Sequence, residues 1–168
     1  FTQDEARALA AAARLAQSWL DPGMAGDVES ALGKILSVLP PSARAAAEAL
    51  ALFALPVSRD AATRERLQTL REAVQSRHKL RLDYRDVNEA ATRRTVRPLG
   101  CFYWGKVWTL AAWCELRQDF RSFRVDRIDA AQVLPERFAD EPGRTLADLL
   151  RRLRERRPPP DPAQDAIE

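Results

Sequence analysis

The spacing of apolar residues changes once along this 168-residue chain, near position 77, from about 3.6 to 2. Before it, Leu67, Leu70 and Val74 form a helical stripe across residues 61–77. After it, Leu80, Leu82 and Tyr84 alternate with Arg81, Asp83 and Arg85 from Lys79 to Arg85. A period of 3.6 buries one stripe of a helix, and a period of 2 buries one face of a strand. The two do not interchange, so helices come first and a sheet follows, which predicts an α+β fold.

The alternating part continues after a turn at Asp86-Val87-Asn88-Glu89. Thr92 to Pro98 reads as a strand with Arg93, Thr95 and Arg97 on one face, opposite Arg94 and Val96, and Pro98 predicts its edge or break. Gly105-Lys106 stands between Phe102-Tyr103-Trp104 and Val107-Trp108-Thr109-Leu110, a hairpin signal of the type II′ class. Tight pairing there sets Tyr103 opposite Trp108, Phe102 opposite Thr109 and Cys101 opposite Leu110. Arg121–Ile128 and Ala131–Leu134 complete the strands, and five short strands after one helix predict a small closed or nearly closed barrel.

The first 55 residues read as three Ala-rich helices. Thr2-Gln3-Asp4-Glu5 is a capping box, followed by Leu9, Ala12, Ala13, Ala16 and Trp19 or Leu20 at helical spacing. Asp21-Pro22-Gly23 is read as the end of this helix, with a second beginning near Asp27 and carrying Leu32, Ile35, Leu36 and Leu39 inward. Pro40-Pro41-Ser42 starts a third, with Ala46, Ala49, Leu50 and Phe53 inward. These helices serve either plain core packing or dimerisation. Leu55-Pro56-Val57-Ser58 breaks the pattern and sets the boundary. The expected organisation is a helical segment (1–57), a barrel domain (58–138), and a C-terminal helix and tail (139–168). That last helix follows Gly143-Arg144-Thr145, with Leu146, Leu149, Leu150 and Leu153 inward, and ends at Pro158-Pro159-Pro160.

Composition narrows the function. No run approaches the ~18 apolar residues of a membrane span, and the N-terminus is no signal peptide, so a cytoplasmic protein is expected. Phe1 stands where an initiator Met would, which points to a fragment of a longer protein. Cys101 and Cys114 read as two free buried thiols, and His78 as a helix-end residue without a metal partner. There is no Gly-rich phosphate loop, nucleophile elbow or metal-ligand cluster, so no catalytic residue, metal or cofactor is expected and the chain is not read as an enzyme.

The charge is uneven. Residues 77–138 hold 13 basic and 8 acidic side chains, a surplus of five, whereas residues 1–76 hold 8 and 9. Arg94, Arg97, Arg121, Arg124 and Arg127 lie among Tyr84, Tyr103, Trp104 and Trp108, which fits an anionic partner whose rings or phosphates meet aromatic faces and guanidinium forks. A strand with arginines at 121, 124 and 127 alternates them between faces. At least one is therefore expected to be structural, tied to Asp126 or Asp129, and another exposed in a concave positive site.

Residues 77–136 resemble the WYL domain of bacterial transcriptional regulators of the DeoR-type winged helix-turn-helix class. Four segments carry the resemblance: Leu80-Arg81-Leu82-Asp83-Tyr84, Arg94-Thr95-Val96-Arg97-Pro98-Leu99, Lys106-Val107-Trp108-Thr109-Leu110 and Arg121-Ser122-Phe123-Arg124-Val125-Asp126-Arg127-Ile128. The name triplet Trp-Tyr-Leu stands here as Trp108-Thr109-Leu110. The resemblance implies an Sm-like or SH3-like barrel that senses a ligand, a nucleic-acid fragment or small anion, and alters DNA binding by an N-terminal winged helix that this chain lacks. It also implies a ligand site at Tyr84, Arg97, Trp108, Arg121, Arg124 and Arg127, and promoter DNA reached only through the missing domain. A homodimer is expected through the Ala-rich helices. The rival expectation is a protein-interaction or dimerisation module without a ligand pocket.

Overall fold

The computed structural model describes residues 2–48 and 60–156. Three helices, α1 (Gln3–Gln17), α2 (Pro22–Val38) and α3 (Pro41–Glu48), precede α4 (Ala61–Ser76). Five strands follow: β1 (His78–Arg85), β2 (Ala91–Tyr103), β3 (Trp108–Cys114), β4 (Asp119–Arg124) and β5 (Ile128–Arg137), with a single 3-10 turn, Val125–Arg127, between the last two. Helix α5 (Leu146–Glu155) ends the described chain.

The expected capping box is present: Thr2 Oγ1 accepts from the Glu5 N–H, and the Glu5 carboxylate accepts from the Thr2 N–H. The buried face of α1 is Ala6 and Ala10, however, and Leu9 is exposed. α1 packs against α2 and α3, and the side chains it buries completely are small. Asp21-Pro22-Gly23 also does more than stop α1. Asp21 caps α2 by accepting from the Met24 N–H and Pro22 is its first residue, so α2 begins five residues before the expected Asp27. A carboxylate at the cap and proline at the first helical position satisfy or remove amide groups that a helix start leaves unpaired. The expected inward residues Ala49, Leu50 and Phe53, and the boundary at 55–58, lie outside the described residues.

The sheet is antiparallel in the order β4-β3-β2-β1-β5. The barrel is not closed: no ladder joins β4 to β5. Only the three-residue turn connects these two edge strands, so the sheet curls until their ends meet at that corner. Its inner face carries Leu80 and Leu82 of β1, Val96 of β2, Leu110, Ala112 and Cys114 of β3, and Phe123 of β4. Leu67 and Leu70 of the predicted stripe close this core together with Ala73, and the third stripe residue, Val74, packs half-buried against it.

The hairpin forms in the expected register, with Tyr103 opposite Trp108, Phe102 opposite Thr109 and Cys101 opposite Leu110. Gly105 has φ of +80°, the left-handed value that the first central residue of a type II′ turn requires. Both cysteines are free, and burial pushes the Cys101 thiol up to about 11. Pro98 does not end its strand. β2 runs on through it for 13 residues, with a register shift between Pro98 and Gly100. Pairing with β1 ends at Val96, so Pro98 has no β1 partner that needs its missing N–H. The expected strand Arg121–Ile128 breaks at Val125 into the 3-10 turn, which removes Arg127 from the face it was to share with Arg121.

Candidate functional site

Two hairpin ends meet on one side of the inner face. From β1 and β2 come Tyr84 and its cross-strand partner Thr92, with Arg94 opposite Leu82. From β3 and β4 come Cys114 and Arg121, the latter opposite Ala112, and Arg117 lies in the loop between these strands. They line a groove of about 220 Å³ together with Asp86, Ser122 and Phe123. The parity of the strands accounts for the assembly. Tyr84, Arg94 and Arg121 share the face of the core residues Leu82, Val96 and Phe123, but sit beyond them, where α4 no longer covers the sheet.

The side chains of Arg94, Arg117 and Arg121 form no hydrogen bond or ion pair among the described residues. Most other arginines of the sheet do: Arg85 with Asp129, Arg93 with Asp83, Arg97 with Glu115 and Glu141, and Arg124 with Asp126. Asp86 is the acid of the groove, and its Oδ1 already accepts from the Asn88 and Ala90 N–H groups of the β1–β2 turn. Three guanidinium groups therefore face one concavity with their donors unused. Tyr84 holds its place edge-on to Phe123, ring centroids 5.1 Å apart.

The expected site residues divide among five places. Tyr84 and Arg121 meet in the groove. Arg97 is buried on the opposite face, where its Nε donates to Glu115 at 2.7 Å and its Nη1 to Glu141 at 2.8 Å. Arg124 is clamped by two hydrogen bonds to Asp126, the structural tie expected for one arginine of the set. Arg127 lies half-buried on the 3-10 turn and lines no part of the groove. Trp108 belongs to the joint between helices and sheet: its Nε1–H donates to the Trp19 carbonyl at 2.8 Å, and it lines a cavity of about 380 Å³ with Trp19, Tyr103 and Leu67. Sequence reading included Arg94 in the basic set without placing it in the site, and missed Arg117. The signal for Arg94 was its alternation with Arg93 and Arg97, both tied down on the other face. Arg117 sits in a turn, where alternation carries no information.

The same joint holds the α1–α2 corner from several sides. Asp21 receives two hydrogen bonds from Arg71 at 2.7 and 3.1 Å. The Leu20 carbonyl accepts from Arg64, and the Gly23 N–H donates to Gln68. Burial pushes the Asp21 carboxyl up, but the Arg71 hydrogen bonds and charge and the Met24 and Gly23 N–H groups outweigh it and leave it below its ordinary range.

Residues 65–133 match the family model of the WYL domain. The chain contains a WYL domain. The matched stretch runs from α4 into β5, so the arginine groove and Trp108 both lie within the WYL domain. Among solved structures, the proteasome accessory factor B/C (PafBC) of Arthrobacter aurescens is similar at 20% identity with a TM-score of 0.46. The match covers 83% of this chain and 21% of that one, so this chain spans about a fifth of that protein's length.

Proposed function

We propose that this chain is the ligand-sensing effector part of a transcriptional regulator, and that its WYL domain binds an anion in the Tyr84–Arg94–Arg117–Arg121 groove. The observation that carries the reading is the set of three guanidinium groups around one concavity that are unpaired among the described residues. The one carboxylate lining the groove, Asp86, leaves the three guanidinium groups in excess, and a phosphate or carboxylate supplies further counter-charge. The class of ligand is a single-stranded nucleic-acid fragment or a nucleotide, with Tyr84 offering a ring edge and hydroxyl beside the charge. The role is binding without catalysis. In a full-length regulator the signal passes through α4 to the α1–α2 corner and on to an N-terminal winged helix. Binding transmits a signal only if it favours one arrangement of that joint over another.

The test is a salt titration of binding to a short single-stranded oligonucleotide. Engagement of all three arginines gives a log–log slope of about −2, and each single Arg→Gln change reduces it by about 0.7. Binding that is absent, or that is indifferent to salt and to all three substitutions, removes the sensor reading. The second reading, a protein-interaction module, then takes its place, because β4 and β5 leave two strand edges unpaired for a partner strand.

A further inference from the structure

The outer face of the sheet carries a second groove, separate from the arginine groove and about 270 Å³ in volume, between β2–β4 and α5. Its floor is aromatic. Trp104 is 62% exposed, yet its indole is held: Nε1–H donates to Thr109 Oγ1 at 2.8 Å. Phe102 lies nearly parallel to it, 15° between planes with ring centroids 6.0 Å apart. A tryptophan exposed to water and fixed by a buried partner is a preorganised platform, because the cost of ordering the ring is met before a ligand arrives. Phe120 continues the floor, and Leu153 of α5 reaches over it while remaining 46% exposed.

Thr109 is what keeps the groove open. It stands where the family's name triplet has tyrosine, and strand parity puts it on the outer face, since its neighbour Leu110 is in the core. A tyrosine ring projecting from this position would occupy the groove that threonine lines. The rim is cationic. Arg152 is neutralised by Asp119 at 2.6 Å, whereas Arg121 and Arg156 form no side-chain hydrogen bond or ion pair among the described residues.

We propose that this groove is a second binding site of the chain and takes a planar aromatic anion, with the ring on Trp104 and the charge toward Arg121 and Arg156. An aliphatic acid gains no stacking there, and a neutral arene leaves the two cations unanswered. The site does not rest on the nucleic-acid reading, because Arg94 and Arg117 do not line it, although Arg121 borders both grooves.

The test titrates the full chain with naphthoate, read by calorimetry and by the indole N–H resonances of the tryptophans. Saturable binding that shifts the Trp104 resonance is expected. Trp104→Ala and Thr109→Tyr should each weaken binding about tenfold or more, and the neutral naphthamide should bind about tenfold more weakly than naphthoate. The double variant Arg94→Gln/Arg117→Gln should leave naphthoate binding within about twofold while abolishing the salt-sensitive oligonucleotide binding, so the two sites fail separately. If Thr109→Tyr does not fold, Trp104→Ala and Arg156→Gln, both at exposed positions, decide the matter. No saturable binding, or binding unchanged in Trp104→Ala, overturns the proposal.

Discussion

Arg97 has a side chain only 11% exposed, between the carboxylates of Glu115 and Glu141. Arg121 lies three strand positions before Arg124, exposed and without a hydrogen-bond or ion-pair partner among the described residues. Replacing Arg97 with Gln removes two charged hydrogen bonds, while Glu115 keeps Lys79 and Glu141 keeps Arg144, and should cost about 1–3 kcal/mol of stability by chemical denaturation while leaving anion binding in the groove intact. Replacing Arg121 with Gln should do the reverse, leaving the melting temperature nearly unchanged and weakening oligonucleotide binding about tenfold or more. Glu115 adds a pH signature. Burial raises its pKa, but hydrogen bonds and charge from Arg97 and Lys79 prevail and hold it below the ordinary 4.5. Because the folded-state value is depressed, this stabilisation is present in full above the unfolded value and is lost as pH falls through the folded one. Glu115→Gln should therefore lower stability at neutral pH and flatten its decline below about pH 4.5, in denaturation curves recorded across that range.

At the scale of elements, the joint between the helical segment and the WYL domain depends on a few polar contacts around a buried carboxylate. Asp21 is 1% exposed, caps α2 and pairs with Arg71 of α4. Asp21→Ala removes the cap and leaves the Arg71 guanidinium without its bidentate partner. The expected loss is about 2–4 kcal/mol, above the ~1 kcal/mol of a lone N-cap. It should appear first as protease cleavage near the α1–α2 corner, with the β-sheet still folded by circular dichroism. A loss no larger than that of a simple cap would mean that the Arg71 pair contributes little to docking. Trp108 binds the same corner through the Trp19 carbonyl, so the family tryptophan here couples two parts of the molecule and takes no place in the arginine groove.

At the scale of the molecule, α2 buries no residue completely within the described chain, and Leu9, Trp19, Met24 and Val38 are exposed on the helical segment. Apolar surface on three short helices is what an isologous interface would cover, and regulators that read symmetric half-sites dimerise for the same geometric reason. The expected state is a homodimer through this segment. Light scattering at protein concentrations on the order of tens of micromolar should return twice the chain mass, and a monomer there would rule out all but weak self-association.

Helices before strands, the α1 cap, the hairpin register and the face that Arg93 and Arg97 share opposite Arg94 and Val96 were legible in the sequence, because each depends on neighbours within one turn or one strand pair. Of the six site residues that the family resemblance implied, Tyr84 and Arg121 meet in the groove, because they share the inner parity of β1 and β4. What parity could not say was where a strand stops. The break at Val125, which separates Arg127 from Arg121, comes where two edge strands of an open, curled sheet must be joined by three residues. The passage of β2 through Pro98 follows from where β1 ends, a fact about the neighbouring strand. The partners of Arg97, and the absence of partners among the described residues for Arg94, Arg117 and Arg121, were settled by tertiary structure, since carboxylates distant in sequence, such as Glu141, come within reach only after the sheet has formed. Sequence determines which charges exist and which face each strand residue takes. Only the folded chain decides which charges neutralise one another and which remain free for a ligand.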